Sequence, residues 1–357
     1  MSPEAVRILS RLGVVEQLEL AGAVALEGMK VTGYRGATAH GLFARARHRP
    51  FRPTGLSVSR RVLDNVLVHA ARSAGALVME RAALEELLYQ QGGITGAVIR
   101  DPAGRRHSVH ARLTIGADGL RSIVARRMGR RTHGRPRRVA FVTHVAGVQE
   151  MGCSAELHFG RTGYVGLNQI AAGQANVAVV VPATRAAGAR GRLREFFFEA
   201  LAEFAGVRER VEAGTIVKPI LVTGPFAARS RRVTAPGGLL VGDAADFYDP
   251  VTGDGIYSAL RGAELVAESM IPGLANGEAI PAESFRTYRQ LRRRAFAGKW
   301  MMERITRGLM HFPSIFDRTV DRLGRSQDMA HTAIGVAGGF VPLREMLNPG
   351  FIARVIF

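Results

Sequence analysis

In the opening stretch SPEAVRILSRLG, apolar residues return every three or four positions. Ala5, Ile8, Leu9 and Leu12 share one stripe, which predicts an amphipathic helix. Ser2 suits its N-cap, Pro3 its first turn and Gly13 its C-terminal stop. Residues 26–54 read as strand-like and rich in Arg and Gly. A second helix is predicted over 59–74, with Val62, Val66, Leu67 and Ala70 on one face. From Ala76 to Ile115 the pattern shortens to strands, with a hairpin turn at Asp101-Pro-Ala-Gly104. Ala111-Arg-Leu-Thr-Ile-Gly116 reads as a buried strand that ends in Ala117-Asp-Gly119.

Arg126 to Arg138 reads as a basic linker, with arginine pairs at 126–127, 130–131 and 137–138. Val, Phe and Thr recur between glycine turns over 138–149, 154–170 and 174–182, which predicts strands. Residues 191–212 read as a helix, Leu239 to Gly242 as a short buried strand, and Gly255 to Met270 as a helix. The tail from Ser284 is helical, basic and amphipathic, and no internal repeat is visible. Strands alternating with helices predict an α/β protein, and the β-rich middle predicts an inserted α+β domain.

Composition narrows the partners. The formal charge is +19, and only Lys30, Lys218 and Lys299 among the 49 basic residues are lysines. Such a field attracts nucleic acid, anionic lipid or an acidic partner; equally, it describes a solvated arginine surface. No nucleic-acid-binding module is recognisable, so nucleic acid is not an expected partner. The single cysteine, Cys153, excludes an internal disulfide and any multi-cysteine metal site. His107 and His110 fall on a strand-like surface segment without evident partners, so no metal is expected. There is no long uninterrupted apolar run and no signal-peptide layout, so a cytoplasmic protein is the simplest reading.

The densest chemistry lies in Val241-Gly-Asp-Ala-Ala-Asp-Phe-Tyr-Asp-Pro-Val-Thr-Gly-Asp-Gly-Ile256. A strand ending in Gly242-Asp243 sets a carboxylate at the carboxyl edge of a sheet, where open α/β sheets bind ligands. There it suits sugar or ribityl hydroxyls and repels phosphate. Pro250 stiffens the turn. Gly253 and Gly255 leave the N–H groups of the following helix uncovered, and that helix start carries partial positive charge. A flavin, whose pyrimidine edge gains electron density on reduction, has need of such a place.

This corner resembles the second flavin-binding motif of FAD-dependent oxidoreductases with the para-hydroxybenzoate hydroxylase-like fold. The matching residues are Gly242, Asp243, Ala244, Ala245, Pro250, Gly253, Gly255 and Ile256. The version here looks most like the geranylgeranyl-reductase branch; hydroxylases more often carry histidine where Asp246 stands. Gly116-Ala-Asp-Gly-Leu-Arg-Ser122 resembles the family's G-A-D-G-x-x-S motif, and Val58-Ser-Arg-Arg-Val-Leu-Asp64 its v-x-R-x-x-L-D element. The resemblance implies cofactor contacts from Arg60, Asp118, Gly119, Gly242, Asp243, Ala244, Pro250, Gly253, Asp254, Gly255 and Ile256. It also implies a Rossmann-like FAD-binding domain from 1–25, 55–133 and 230–275. A substrate domain would come from 26–54 and 134–229, and a C-terminal helical region from 276–357.

One family element is not seen. The strand–G-x-G-x-x-G–helix unit that cradles the FAD pyrophosphate has no counterpart, so the Rossmann-like domain is expected to be incomplete. A start codon assigned too far downstream, a truncated gene and a genuinely short protein are the three readings left open. In the chain as written, the absent strand would leave strand edges unpaired.

The implied activity is oxidoreduction of a small apolar substrate of isoprenoid, lipid or polyketide-like kind. Either a C=C bond is reduced or the substrate is hydroxylated with O2, and NAD(P)H or another reductant supplies the electrons. The alternative is a non-catalytic remnant or basic interaction protein on the same scaffold. No proton donor is assignable among Tyr164, His158, Tyr248 and Tyr257. The basic tail, from Arg286 through Trp300 to Met310, admits a peripheral membrane contact or packing on the FAD domain. Oligomeric state is not readable.

Overall fold

The computed structural model describes residues 1–129, 131–134, 137–204, 206–275 and 280–356. Its contacts divide the chain into two units. One comprises Met1–Ala71, Pro136–Pro225 and Gly298–Phe357; the other comprises Arg72–Arg135 and Phe226–Ala297.

The first unit is built on an eight-stranded sheet. From one edge inward run Thr38–Leu42, Gly28–Thr32, Ser154–Gly160, Gly163–Ala171, Gln174–Pro182 and Arg138–Ala146, and the last is flanked by Thr215–Ile216 and Leu221–Thr223. Period-2 alternation sends Val139, Phe141 and Val145 to the same face as Val177, Val179 and Val181. Helices Leu193–Leu201 and Val207–Glu212 close over that face with Phe196, Phe197, Leu201 and Val211. The rings of Phe141 and Phe196 meet at 4.9 Å. Each large side chain so buried contributes about 1.5–3 kcal/mol.

The continuous helix expected over 191–212 is two helices. Gly206 takes φ +72°, a left-handed conformation that a right-handed helix cannot run through. At the sheet's far edge, helix Gln327–Ala337 covers Thr38–Leu42, and the Leu42 N–H donates to His331 Nδ1 at 3.0 Å. The opening helix spans Pro3–Arg11, as its apolar spacing predicts. Ser2 stands before it, and its carbonyl accepts from Val6 N at 3.1 Å, but its hydroxyl makes no cap.

The second unit holds an antiparallel hairpin sheet of Ala83–Gln90, Gly93–Arg100 and Arg106–His110. Asp101 closes the predicted turn by accepting from Arg105 N at 2.9 Å. Its other oxygen meets His107 Nε2 at 2.9 Å, so His107 has a partner, contrary to the sequence expectation. The spacing of residues along one strand cannot reveal a carboxylate that the turn brings back to it.

The basic segment 126–138 is also more than a linker. It contains the end of helix Ile123–Arg127 and the strand Arg131–His133, which pairs with Ala228–Ser230. Arg130 and residues 135–136 of that segment lie outside the described residues. So do 276–279 of the predicted C-terminal region.

Candidate functional site

Two strands of the second unit set the site. Thr114–Gly116 and Gly238–Leu240 run parallel, with Gly116 opposite Leu240. The Gly116 carbonyl accepts from Val241 N at 3.0 Å, so the ladder continues one residue further. Both sequence motifs therefore leave the same carboxyl edge, side by side. Gly116 has no room for a side chain: a Cβ there would lie 2.6 Å from Leu240 Cδ2 and 2.8 Å from Val124 Cβ. That close approach lets helix Ile123–Arg127 seat against the strand.

Asp118 organises the first turn. Its carboxylate accepts from Ser122 Oγ at 2.5 Å, Ile123 N at 2.6 Å and Val124 N at 3.2 Å. Ser122 in turn caps the helix by accepting from Ala125 N at 2.8 Å. An acidic group on the first N–H groups of a helix satisfies donors that have no partner within the helix.

The second turn is a four-residue helix, Gly242–Ala245, followed by Asp246–Phe247 and a 3-10 turn at Pro250–Thr252. Asp249 caps that turn by accepting from Val251 N at 3.2 Å, and Gly253 leaves it at φ +69°. The 21-residue helix Gly255–Ala275 starts immediately after. Asp243 reaches this start: its Oδ1 is 4.0 Å from where a Cβ on Gly255 would stand. A carboxylate and the positive end of a long helix thus meet over a glycine that covers neither.

Several side chains that the sequence reading does not assign to the site hold this corner. Arg131 donates to Ala244 O at 2.7 Å, to Asp243 O at 3.2 Å and to Leu120 O. Burial, the largest influence, lowers its pKa; Asp118 opposes this, Arg126 reinforces it, and Asp243 and Asp246 oppose it. An arginine remains charged regardless. The buried Ser230 donates to Ala244 O at 2.9 Å. Arg292 pairs with Asp246 at 2.8 Å, both largely shut off from solvent. The fully buried Tyr288 donates to Leu240 O at 2.7 Å, and burial foremost pushes its pKa up to about 12. Arg292 and Tyr288 both come from helix Ala282–Leu309. The tail's apolar stripe is therefore partly committed to packing, since Phe285 and Phe296 are buried as well.

Asp118, Gly119, Gly242, Asp243, Ala244, Pro250, Gly253, Asp254, Gly255 and Ile256 thus belong to one unit. Arg60 belongs to the other, on helix Arg60–Ser73, where it grips Asp64 through two bonds of 3.0 and 3.1 Å. Of the candidate proton donors, His158 bonds buried Glu156 at 2.8 Å, and Tyr164 packs on Phe159. Tyr257 meets Phe296 edge-on. A cavity of about 870 Å³ lies at the opposite, amino end of the parallel strands, lined by Ile94, Pro236, Phe285 and Arg289 among others. It is not where the motif residues converge.

The corner fits a polyhydroxylated, electron-accepting cofactor. Its carboxylate accepts from hydroxyls, and its helix start offers N–H groups and positive potential to an electron-rich ring edge. Residues 1–303 match the model of the FAD binding domain family, and the chain belongs to that family.

Digeranylgeranylglycerophospholipid reductase 2 of Methanothermobacter thermautotrophicus is 31% identical over 229 residues, covering 62% of this chain and 57% of the relative. The chain spans little more than half the length of such curated relatives. A flavoprotein/dehydrogenase structure from Cytophaga hutchinsonii superposes with TM-score 0.83 at 16% identity, covering 99% of this chain and 86% of that one. A geranylgeranyl bacteriochlorophyll reductase-like structure from Thermoplasma acidophilum gives TM-score 0.65 at 19% identity, covering 93% and 79%. At these identities the structures speak for the fold alone. No helix among the described residues is long and apolar enough to cross a membrane.

Proposed function

We propose that the chain is an FAD-dependent oxidoreductase that reduces a carbon–carbon double bond in an isoprenoid or similarly apolar lipid. The carrying observation is the corner itself, where two motif turns leave adjacent parallel strands and the second places Asp243 beside the start of a 21-residue helix. The names of the archaeal reductases support the substrate class.

When bound, FAD supplies the two electrons of the reduction, drawn from NAD(P)H or another reductant. The chain's own residues bind and orient. Asp243 would accept hydrogen bonds from cofactor hydroxyls. The helix start after Gly253 and Gly255 would offer N–H groups and positive potential to the electron-accepting ring, and Pro250 would stiffen the turn that holds it. Asp118 and Gly119 shape the neighbouring turn.

Titrating the purified chain with FAD, followed by flavin fluorescence, tests the binding. Asp243→Asn should weaken it by about 10–100-fold, the loss expected for a charge-assisted hydrogen bond. Incubation of the reduced complex with a geranylgeranyl lipid should then add two hydrogens per double bond, read by mass spectrometry. Absence of FAD binding, or of any mass gain, would sink the reading.

A further inference from the structure

The two cofactor turns come from distant parts of the sequence, and among the described residues the ladder between their strands ends at Gly116 and Val241. One side chain bonds to both. Arg131 donates to Leu120 O on the first turn and to Asp243 O and Ala244 O on the second. We infer that Arg131 is a positioning residue: a fork that sets the spacing of the two turns and thereby the affinity for the flavin. This rests on the oxidoreductase reading given above.

The platform behind it is built for the task. Arg131 pairs with Ser230 across an antiparallel ladder, so both side chains rise from one register position. Both donate to the same acceptor, Ala244 O. That carbonyl closes the four-residue helix Gly242–Ala245, and carbonyls at a helix end lack partners inside the helix. The guanidinium presents five donors in a fixed plane, enough to hold three carbonyls at once. An ammonium has one nitrogen on a flexible stem and cannot span them. The carboxylates Asp118, Asp243 and Asp246 act on the same guanidinium, so the fork is also held in place by charge.

Three variants test this: Arg131→Met, Arg131→Lys and Ser230→Ala. The readouts are FAD dissociation constant, thermal unfolding, and hydrogen exchange of backbone amides across 116–124 and 241–247 in the FAD-free chain. Arg131→Met is expected to raise the dissociation constant about tenfold or more, with faster exchange confined to those two segments. Arg131→Lys should recover little of either effect. Ser230→Ala should speed exchange in 241–247 only, and it serves if the methionine variant does not fold.

Full rescue by lysine would mean that charge alone matters and would overturn the fork. So would unchanged affinity, unchanged exchange at either turn, or exchange accelerated throughout the chain. If the unaltered chain takes up no FAD, the oxidoreductase reading fails instead. The exchange pattern still decides whether Arg131 joins the turns.

Discussion

In the first unit, Phe141, Phe197, Leu201 and Val211 are shut away from water and held by nothing but shape and apolar contact. In the motif corner of the second unit, the holding is done by Arg131, Ser230 and Tyr288, each donating to a backbone carbonyl. The contrast separates two jobs. An apolar layer tolerates exchange of one hydrocarbon for another of like volume. A tether to a carbonyl tolerates almost none, because it fixes a backbone position to within a few tenths of an ångström. The first unit is stabilised by quantity of burial; the corner is specified by direction.

The harshest way to break the comparison is Phe197→Ala. It removes a fully buried ring from the layered core and should cost about 3–5 kcal/mol of unfolding free energy, measured by denaturant titration. Flavin affinity of the protein that remains folded should not change. If it does, the corner is not independently specified.

The next test uses a buried charged pair inside the first unit. Glu156 accepts from Arg210 at 2.8 and 2.9 Å and from His158. Burial pushes its pKa up, but the bonds from Arg210 and His158 outweigh burial and bring it to about 2, from 4.5. Arg210→Met leaves that carboxylate buried without its cation and should cost about 3 kcal/mol. The pH signature follows from the direction of the shift. The unfolded chain binds the proton more readily than the folded one. The pair's contribution is therefore complete above pH 4.5 and is lost as pH falls toward about 2. That slope should be shallower in the variant's stability curve, since the bond from His158 remains.

The smallest effect is expected from Tyr288→Phe, which leaves the ring in place and removes the hydroxyl's bonds to the Leu240 carbonyl and to Arg292. A loss of about 1 kcal/mol should appear in thermal unfolding. A several-fold loss of FAD affinity beside it would show that the strand end, and not the turn alone, sets the site.

The motif residues were readable from the chain because their constraints are local. Gly253 turns left-handed at its own position, and Gly242-Asp243 follows an apolar strand that announces where the sheet ends. The strands 138–182 were readable for the same reason, since alternation is a neighbour-to-neighbour property. Arg131 was not. It sits in a run of arginines that reads as a basic linker, and its acceptors are backbone carbonyls, two of them over a hundred residues away, which carry no residue-type signature. Tyr288 and Arg292 hid likewise in a stripe whose spacing fits a packed helix and a membrane-facing one equally. His107 and Glu156 belong to pairs made across a hairpin or between a strand and a helix, and periodicity is blind to both.

The parallel pairing of Gly116 with Leu240 has a consequence in time as well as in space. Everything between those residues, including four long strands of the other unit, is strung across the gap. The ends of so long a loop meet only against a closure entropy that local hairpins never face. On the ribosome, the binding corner cannot exist until the segment after Leu240 has emerged. The antiparallel strands 138–182 can pair well before that. The part of the chain that would meet the cofactor is thus assembled after the strands strung across the gap. Cofactor present during synthesis would meet those strands already made rather than template them.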